Sequence, residues 1–404
     1  MDFLKLGVIF IAIVIALRKK LSVGVTLFAA GLLTALLFRV TLAALVDGYW
    51  GLVSSQRFLA LTSVIILITI LGSLLKELGW LQKLSEACRS LRGGRRTATA
   101  VMPPLIGLMP MPGGSLLSAP LVDSVLSDAE HSPHLKCATN YWFRHIVEHF
   151  MPIYPGMILS EAITGMPVSR LAMMQSPLAL AMATIGVVFF IRRIRKDSGG
   201  PGEFRRPIIS IIQTVWPILT AILLYGVVRL NLSLAVLVSL LLLMAVARPK
   251  RNLIVQSVRS GLSYKLIFLV FGILSFQTVL DSSGAILSLQ RLSVDYHFPE
   301  QVIIIIVCFT AGLLTGMFSA FVAIGYSLLA GFLYQPVINP ANIFLAYLSG
   351  YLGMMLSPAH LCLIVTNSYF RSDLLAVYKL LVGPAAVLGL AGYLLYLSGW
   401  PALF

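Results

Sequence analysis

Apolar runs recur along the whole chain at about the length that crosses a hydrocarbon core, roughly 20 residues, with brief polar interruptions between them. The runs and breaks predict spans at 3–18, 21–38, 58–75, 138–163 and 170–192, then at 208–228, 231–247, 264–281, 341–366 and 374–396. Two further apolar segments, 97–128 and 301–334, carry Gly and Pro midway and read as hairpins that enter, turn and return. The pattern predicts an all-α polytopic membrane protein of ten spans and two re-entrant hairpins.

A shift of about 205 residues lays the second half of the chain over the first through the hairpin region. Gly107 then meets Gly312, and Pro110-Met111-Pro112-Gly113-Gly114 lies opposite Thr315-Gly316-Met317-Phe318-Ser319. A small drift brings Pro152 to Pro358, Ser160 to Thr366 and Pro177 to Pro384. Five spans per half is an odd number, so the second copy enters the membrane from the opposite face and the repeats are inverted. The units are 1–195 and 208–404, joined by a polar, turn-forming cytoplasmic linker at 196–207. Inverted repeats around interrupted helices are an architecture of secondary transporters, with the site at the midplane between the copies.

Composition narrows the class further. Charged residues make up 11% of the chain and hydrophobic ones 58%, too little polar surface to solvate a globular body of this size. The formal charge of +15 does not point to nucleic acid, because the basic residues sit in short clusters between apolar runs. Placing both termini outside makes every cluster cytoplasmic: Arg18-Lys19-Lys20, Lys76 through Arg96, Arg192 through Lys196, and Arg248 through Arg251. The first apolar run lacks the basic start and small-residue cleavage site of a signal peptide and reads as a retained span. Cys88, Cys137, Cys308 and Cys362 lie far apart with no clustered His, so the spacing signals neither a metal site nor a disulfide framework.

Chemistry concentrates at the breaks. At the tip of hairpin one, freed backbone amides near Gly113, Gly114 and Ser115 would aim the positive end of the outgoing half-helix at the midplane and favour an anion. Ser115 and Ser118 add hydroxyls. Hairpin two offers Thr315, Gly316 and Ser319, although its small residues serve close helix packing equally well. The segment from Asn140 to Gly156 holds Arg144, His145, Glu148 and His149 before a double-proline break. Glu148 falls about 15 Å into a helix starting near residue 138, and Arg144 lies four residues before it on the same face. A charge at that depth is a functional candidate, against the plainer reading that Arg144 and Glu148 neutralise each other structurally. The matching positions of the second half, Gly350, Met354 and Met355, carry no charge, and this asymmetry favours function. The second break, Leu356 to His360, supplies Ser357, and Thr366 and Asn367 follow as neutral ligands; with Asn140 they complete a candidate cation-handling set. His360 reads equally well as a structural histidine.

The motifs Met109 to Ser115 with Ser118-Ala119-Pro120, and Asn140 to His145 running on to Pro152-Ile153-Tyr154-Pro155-Gly156, resemble the ion transporter superfamily, and within it a prokaryotic family of unassigned function. The resemblance covers nearly the whole chain. It implies a scaffold that dimerises and a transport domain that slides against it in an elevator mechanism, in a bacterial or archaeal cytoplasmic membrane. Relatives include dicarboxylate, gluconate and arsenite carriers, usually coupled to sodium or protons. The Ser-Asn-Thr tip signatures of the dicarboxylate carriers are replaced here by Pro-Gly-Gly-Ser and Gly-Met-Phe-Ser, which lack Asn.

The expected function is therefore symport of a small organic anion with Na+ or H+, without a cofactor. The anion would be held by Gly113, Gly114, Ser115, Ser118, Arg144, Thr315, Ser319 and Ser357, and the cation handled by Glu148, His145, His149, Asn140, Thr366 and Asn367. The alternative is a cation/proton antiporter centred on Glu148. An embedded enzyme is disfavoured, because Glu148 and the histidines have no Ser or Cys nucleophile or metal triad in the local sequence.

Overall fold

The computed structural model describes residues 2–89, 94–108, 114–126, 131–195, 205–286 and 297–404. All regular structure among them is helical. The first half supplies α1 (Asp2–Arg18), α2 (Val23–Leu37), α3 (Leu42–Val53), α4 (Gln56–Glu77), α5 (Trp80–Arg89), α6 (Gly94–Gly107), α7 (Ser115–Val125), α8 (Pro133–Arg144), α9 (Pro155–Thr164) and α10 (Val168–Phe189). The second supplies α11 (Arg205–Gly226), α12 (Leu232–Ala247), α13 (Arg251–Gly261), α14 (Tyr264–Ser283), α15 (Glu300–Thr315), α16 (Pro340–Met355), α17 (Leu361–Phe370) and α18 (Leu374–Leu397). Between α15 and α16 lie the short helices Phe318–Phe321 and Ala330–Leu333 and a π-helical turn, Val322–Tyr326.

Side-chain caps set many of these starts. Ser22, Thr41, Ser55, Ser132, Asn231, Asn339 and Asp373 each accept a hydrogen bond from a first-turn amide of the helix that follows. Five helical segments are long and apolar enough to cross a membrane: Gln56–Glu77, Val168–Arg193, Ile208–Gly226, Arg251–Ser283 and Leu374–Leu397. The protein is a helical, membrane-embedded one.

The remaining expected spans are shorter or divided. Those at 3–18, 21–38 and 231–247 are helices of 17, 15 and 16 residues. Those at 138–163 and 341–366 are each two helices separated by irregular backbone. Three helices were not anticipated: α3, α5 and α13, the last a short segment in which only Ser257 and Gly261 are buried. In α5, Leu81, Leu84 and Ala87 are buried while Lys83 and Glu86 are exposed, and a short amphipathic segment of this kind has no long apolar run to announce it. In α3 only Leu52 is buried, and Leu42, Val46 and Trp50 present an apolar outer face.

Small residues allow the closest helix contacts, as expected where lipid supplies no hydrophobic drive between helices. A Cβ at Gly272 in α14 would fall on the Gly24 carbonyl of α2, and one at Gly312 in α15 would fall on the Gly350 carbonyl of α16. The two divided helices occupy the centre: α8 packs on α17, and α9 packs on the segment 318–326. Helix α7, the outgoing arm of hairpin one, packs on both α8 and α17. Replacing Gly272 or Gly312 by Leu is expected to cost roughly 1–3 kcal/mol through forced helix separation. The cost would be read as a lower melting temperature of detergent-purified protein, and Gly7→Leu, with open space around it, should leave that temperature unchanged.

Candidate functional site

Helix α8 stops where proline chemistry begins. After Arg144 the chain tightens into a 3-10 turn, Ile146–His149, runs irregularly through Pro152, and re-enters a helix with Pro155 in the first turn of α9. Pro152 has no N–H to donate and pushes Met151 away from helical backbone. Helix α16 breaks in the same manner after Met355, around Pro358, and resumes at Leu361.

The two breaks face each other, and tyrosines take up the carbonyls they free. Tyr141 of α8 donates to the Met355 carbonyl at 3.0 Å, and Tyr351 of α16 donates to the His145 carbonyl at 3.0 Å. Tyr154 donates to the carbonyl of Gly107 at the end of α6. Hairpin tips close the sides. Ser115 donates to the Cys362 carbonyl at 3.1 Å, and Ser357 donates to the Leu313 carbonyl at 2.6 Å. Gly316, with φ +60°, lies so close to His360 that a Cβ would be 2.6 Å from its amide nitrogen, and only glycine meets both demands at low cost.

Between the breaks lies a cavity of about 190 Å³, whose polar wall is Arg144, Glu148, Tyr154, Ser319, His360 and Cys362. Arg144 Nη1 is 3.5 Å from Glu148 Oε1, and the two residues are 2% and 6% exposed. The same carboxylate oxygen is 3.8 Å from His145 Nε2, which lies 3.1 Å from His360 Nε2. Glu148 Oε2 is buried without a hydrogen-bond partner among the described residues. A larger cavity of about 560 Å³ lies elsewhere, beside Arg57 and Glu161. Its Arg57 guanidinium is held by Gln277 at 2.8 Å, and its wall is largely apolar, so it gathers less chemistry than the smaller one.

The family model described as "Protein of unknown function (DUF401)" matches residues 4–398, nearly the whole chain and both breaks. The chain belongs to this family. No curated protein matches it.

In this DUF401 chain the residues singled out from sequence separate into three groups. Arg144, Glu148 and Ser319 line the cavity, and His145 stands directly behind it. Gly114, Ser115, Ser118, Asn140 and Thr366 form a buried polar seam nearby, in which Asn140 Nδ2 lies 3.4 Å from both the Ser115 carbonyl and Thr366 Oγ1. Ser118 donates to the Ser115 carbonyl at 3.3 Å. The others are held by partners of their own. Thr315 bonds back to the Ala311 carbonyl, Ser357 is tied to Leu313, His149 pairs with Tyr347 at 2.8 Å, and Asn367 accepts from Ser372. Gly113, with residues 109–112 of the hairpin-one tip, lies outside the described residues.

Tyr154 and Cys362 were not among the expected ligands, and His360 was left undecided. The available signal was position: Tyr154 sits one residue before α9, and His360 with Cys362 brackets the start of α17, where breaks expose side chains. Arg144→Met should cost about 3–5 kcal/mol by leaving a buried carboxylate without its cation. Arg144→Met with Glu148→Met should regain most of that in the same thermal-melting assay.

Proposed function

We propose that this protein is a secondary active transporter that carries a small organic anion together with a cation, Na+ or H+, by alternating access between two inverted repeats. The observation that carries this reading is a buried Arg-Glu pair on the wall of a cavity enclosed by two broken helices, one from each half. Arg144 presents a planar fork suited to a carboxylate. An anion arriving alone would leave Glu148 unbalanced in a low-dielectric interior, so a cation entering with it keeps the site neutral. That requirement is a physical basis for coupling.

The order of elements supports the repeat. Helices α8, α9 and α10 begin at Pro133, Pro155 and Val168, and α16, α17 and α18 begin at Pro340, Leu361 and Leu374. Ser132-Pro133 and Asn339-Pro340 make the same capped, proline-led start, and Pro177 and Pro384 stand inside the corresponding later helices. Each hairpin packs against the returning half of the other half's divided helix, an exchange that suits two copies in opposite orientation. On this reading, in keeping with the ion transporter resemblance, hairpins and divided helices move as one body in elevator fashion against a dimeric scaffold. The basic clusters would face the cytoplasm of a prokaryotic cell.

A second reading has its own support. The unpartnered Glu148 Oε2 suits direct cation binding, which would make the protein a cation/proton antiporter without an organic substrate. Proteoliposomes loaded with a pH dye separate the two. Uptake of labelled carboxylates down an imposed gradient, lost by about 10–100-fold in Arg144→Lys, is the symporter outcome, since Lys keeps the charge but not the fork. Proton movement driven by sodium with no organic solute would replace the symporter reading with the antiporter one.

A further inference from the structure

Cys362 and His360 line the cavity but were given no role in holding the anion, and with His145 they bring three metal-ligating atoms within 4.8 Å of one another. We propose that His145, His360 and Cys362 form a binding site for a transition-metal ion of the zinc class. All three side chains are buried, at 0%, 5% and 6% exposure.

The hydrogen accounting calls for a cation there. His145 Nδ1 lies 2.6 Å from the Tyr141 carbonyl, and His360 Nδ1 lies 3.1 Å from the Met354 carbonyl. A carbonyl only accepts, so each ring keeps its hydrogen on Nδ1 and turns the lone pair of Nε2 inward. Tyr141 Oη is 2.9 Å from His360 Nδ1 and 3.0 Å from the Met355 carbonyl, which lets the hydroxyl accept from the ring while donating to the backbone. Two Nε2 lone pairs then face each other at 3.1 Å. Cys362 Sγ lies within 4.8 Å of both nitrogens.

A metal ion resolves this. Two imidazole nitrogens at about 2.0–2.1 Å from a tetrahedral zinc lie roughly 3.3 Å apart, close to the separation present. Carbonyl contacts at Nδ1 are the outer-shell support that fixes tautomer and ring orientation in metal-binding histidines. On binding, the ion forms two N–metal bonds and one S–metal bond, and the thiol proton leaves to solvent.

The proposal does not depend on transport, because it concerns equilibrium binding to the isolated protein. Chelator-stripped protein in detergent is titrated with Co2+ alone and then with Zn2+. One Co2+ per chain is expected, with visible ligand-field bands and a near-ultraviolet thiolate-to-metal band, both removed by excess Zn2+. Cys362→Ser should lose the thiolate band, His360→Gln should lose stoichiometric binding, and Cys308→Ser, at a buried cysteine on α15, should change neither. Absence of saturable binding to the wild type would overturn the site and leave a proton shared between the rings. A cobalt spectrum lacking the thiolate band in the wild type would also overturn it, and that readout holds even where a variant fails to fold.

Discussion

A peptide group without a hydrogen bond costs several kcal/mol in a membrane interior, so a helix can be broken there only where something else takes up the freed carbonyls. In this protein each break relies on the other half. Tyr141 serves the carbonyl of Met355, and Tyr351 serves that of His145. Parting the breaks would leave the Met355 carbonyl bare and cost the His145 carbonyl one of its two hydrogen bonds, the other coming from the Glu148 amide. This mutual dependence holds α8, α9, α16 and α17 together at the centre of the fold and makes the small cavity between them a built feature.

The same constraint explains why charge gathers at one break. Irregular backbone at the end of α8 leaves room for Arg144 and Glu148 to meet as a buried pair, with His145 behind them. The corresponding positions at the other break are Gly350, Met354 and Met355, which pack without any charge to compensate. The second half contributes His360 and Cys362 instead. Both halves therefore line one cavity, with the charged groups coming from one half and the neutral ligating groups from the other.

Packing by small residues connects this centre to the rest. Gly312 lets α15 lie against α16, and Gly316 lets the hairpin tip touch His360. Gly156 meets the ring of Phe318 so closely that any side chain there would displace it. Hairpin two is thereby seated on both breaks at once, and a shift at its tip would be felt at the cavity wall.

Sequence alone determined the helical, membrane-embedded class, the proline breaks that divide the two central helices, and the unusual charge density from Arg144 to His149. These are local properties, set by apolar run length and by backbone chemistry a few residues at a time. The amphipathic α5 escaped because its apolar face is intermittent. Tertiary structure decided which polar residues meet. Asn140 and Thr366 are joined across the fold, whereas His149, four residues from His145, turns away to Tyr347. His145, His360 and Cys362 are brought together only by the crossing of two divided helices, and spacing along one chain carries no record of a contact made through space.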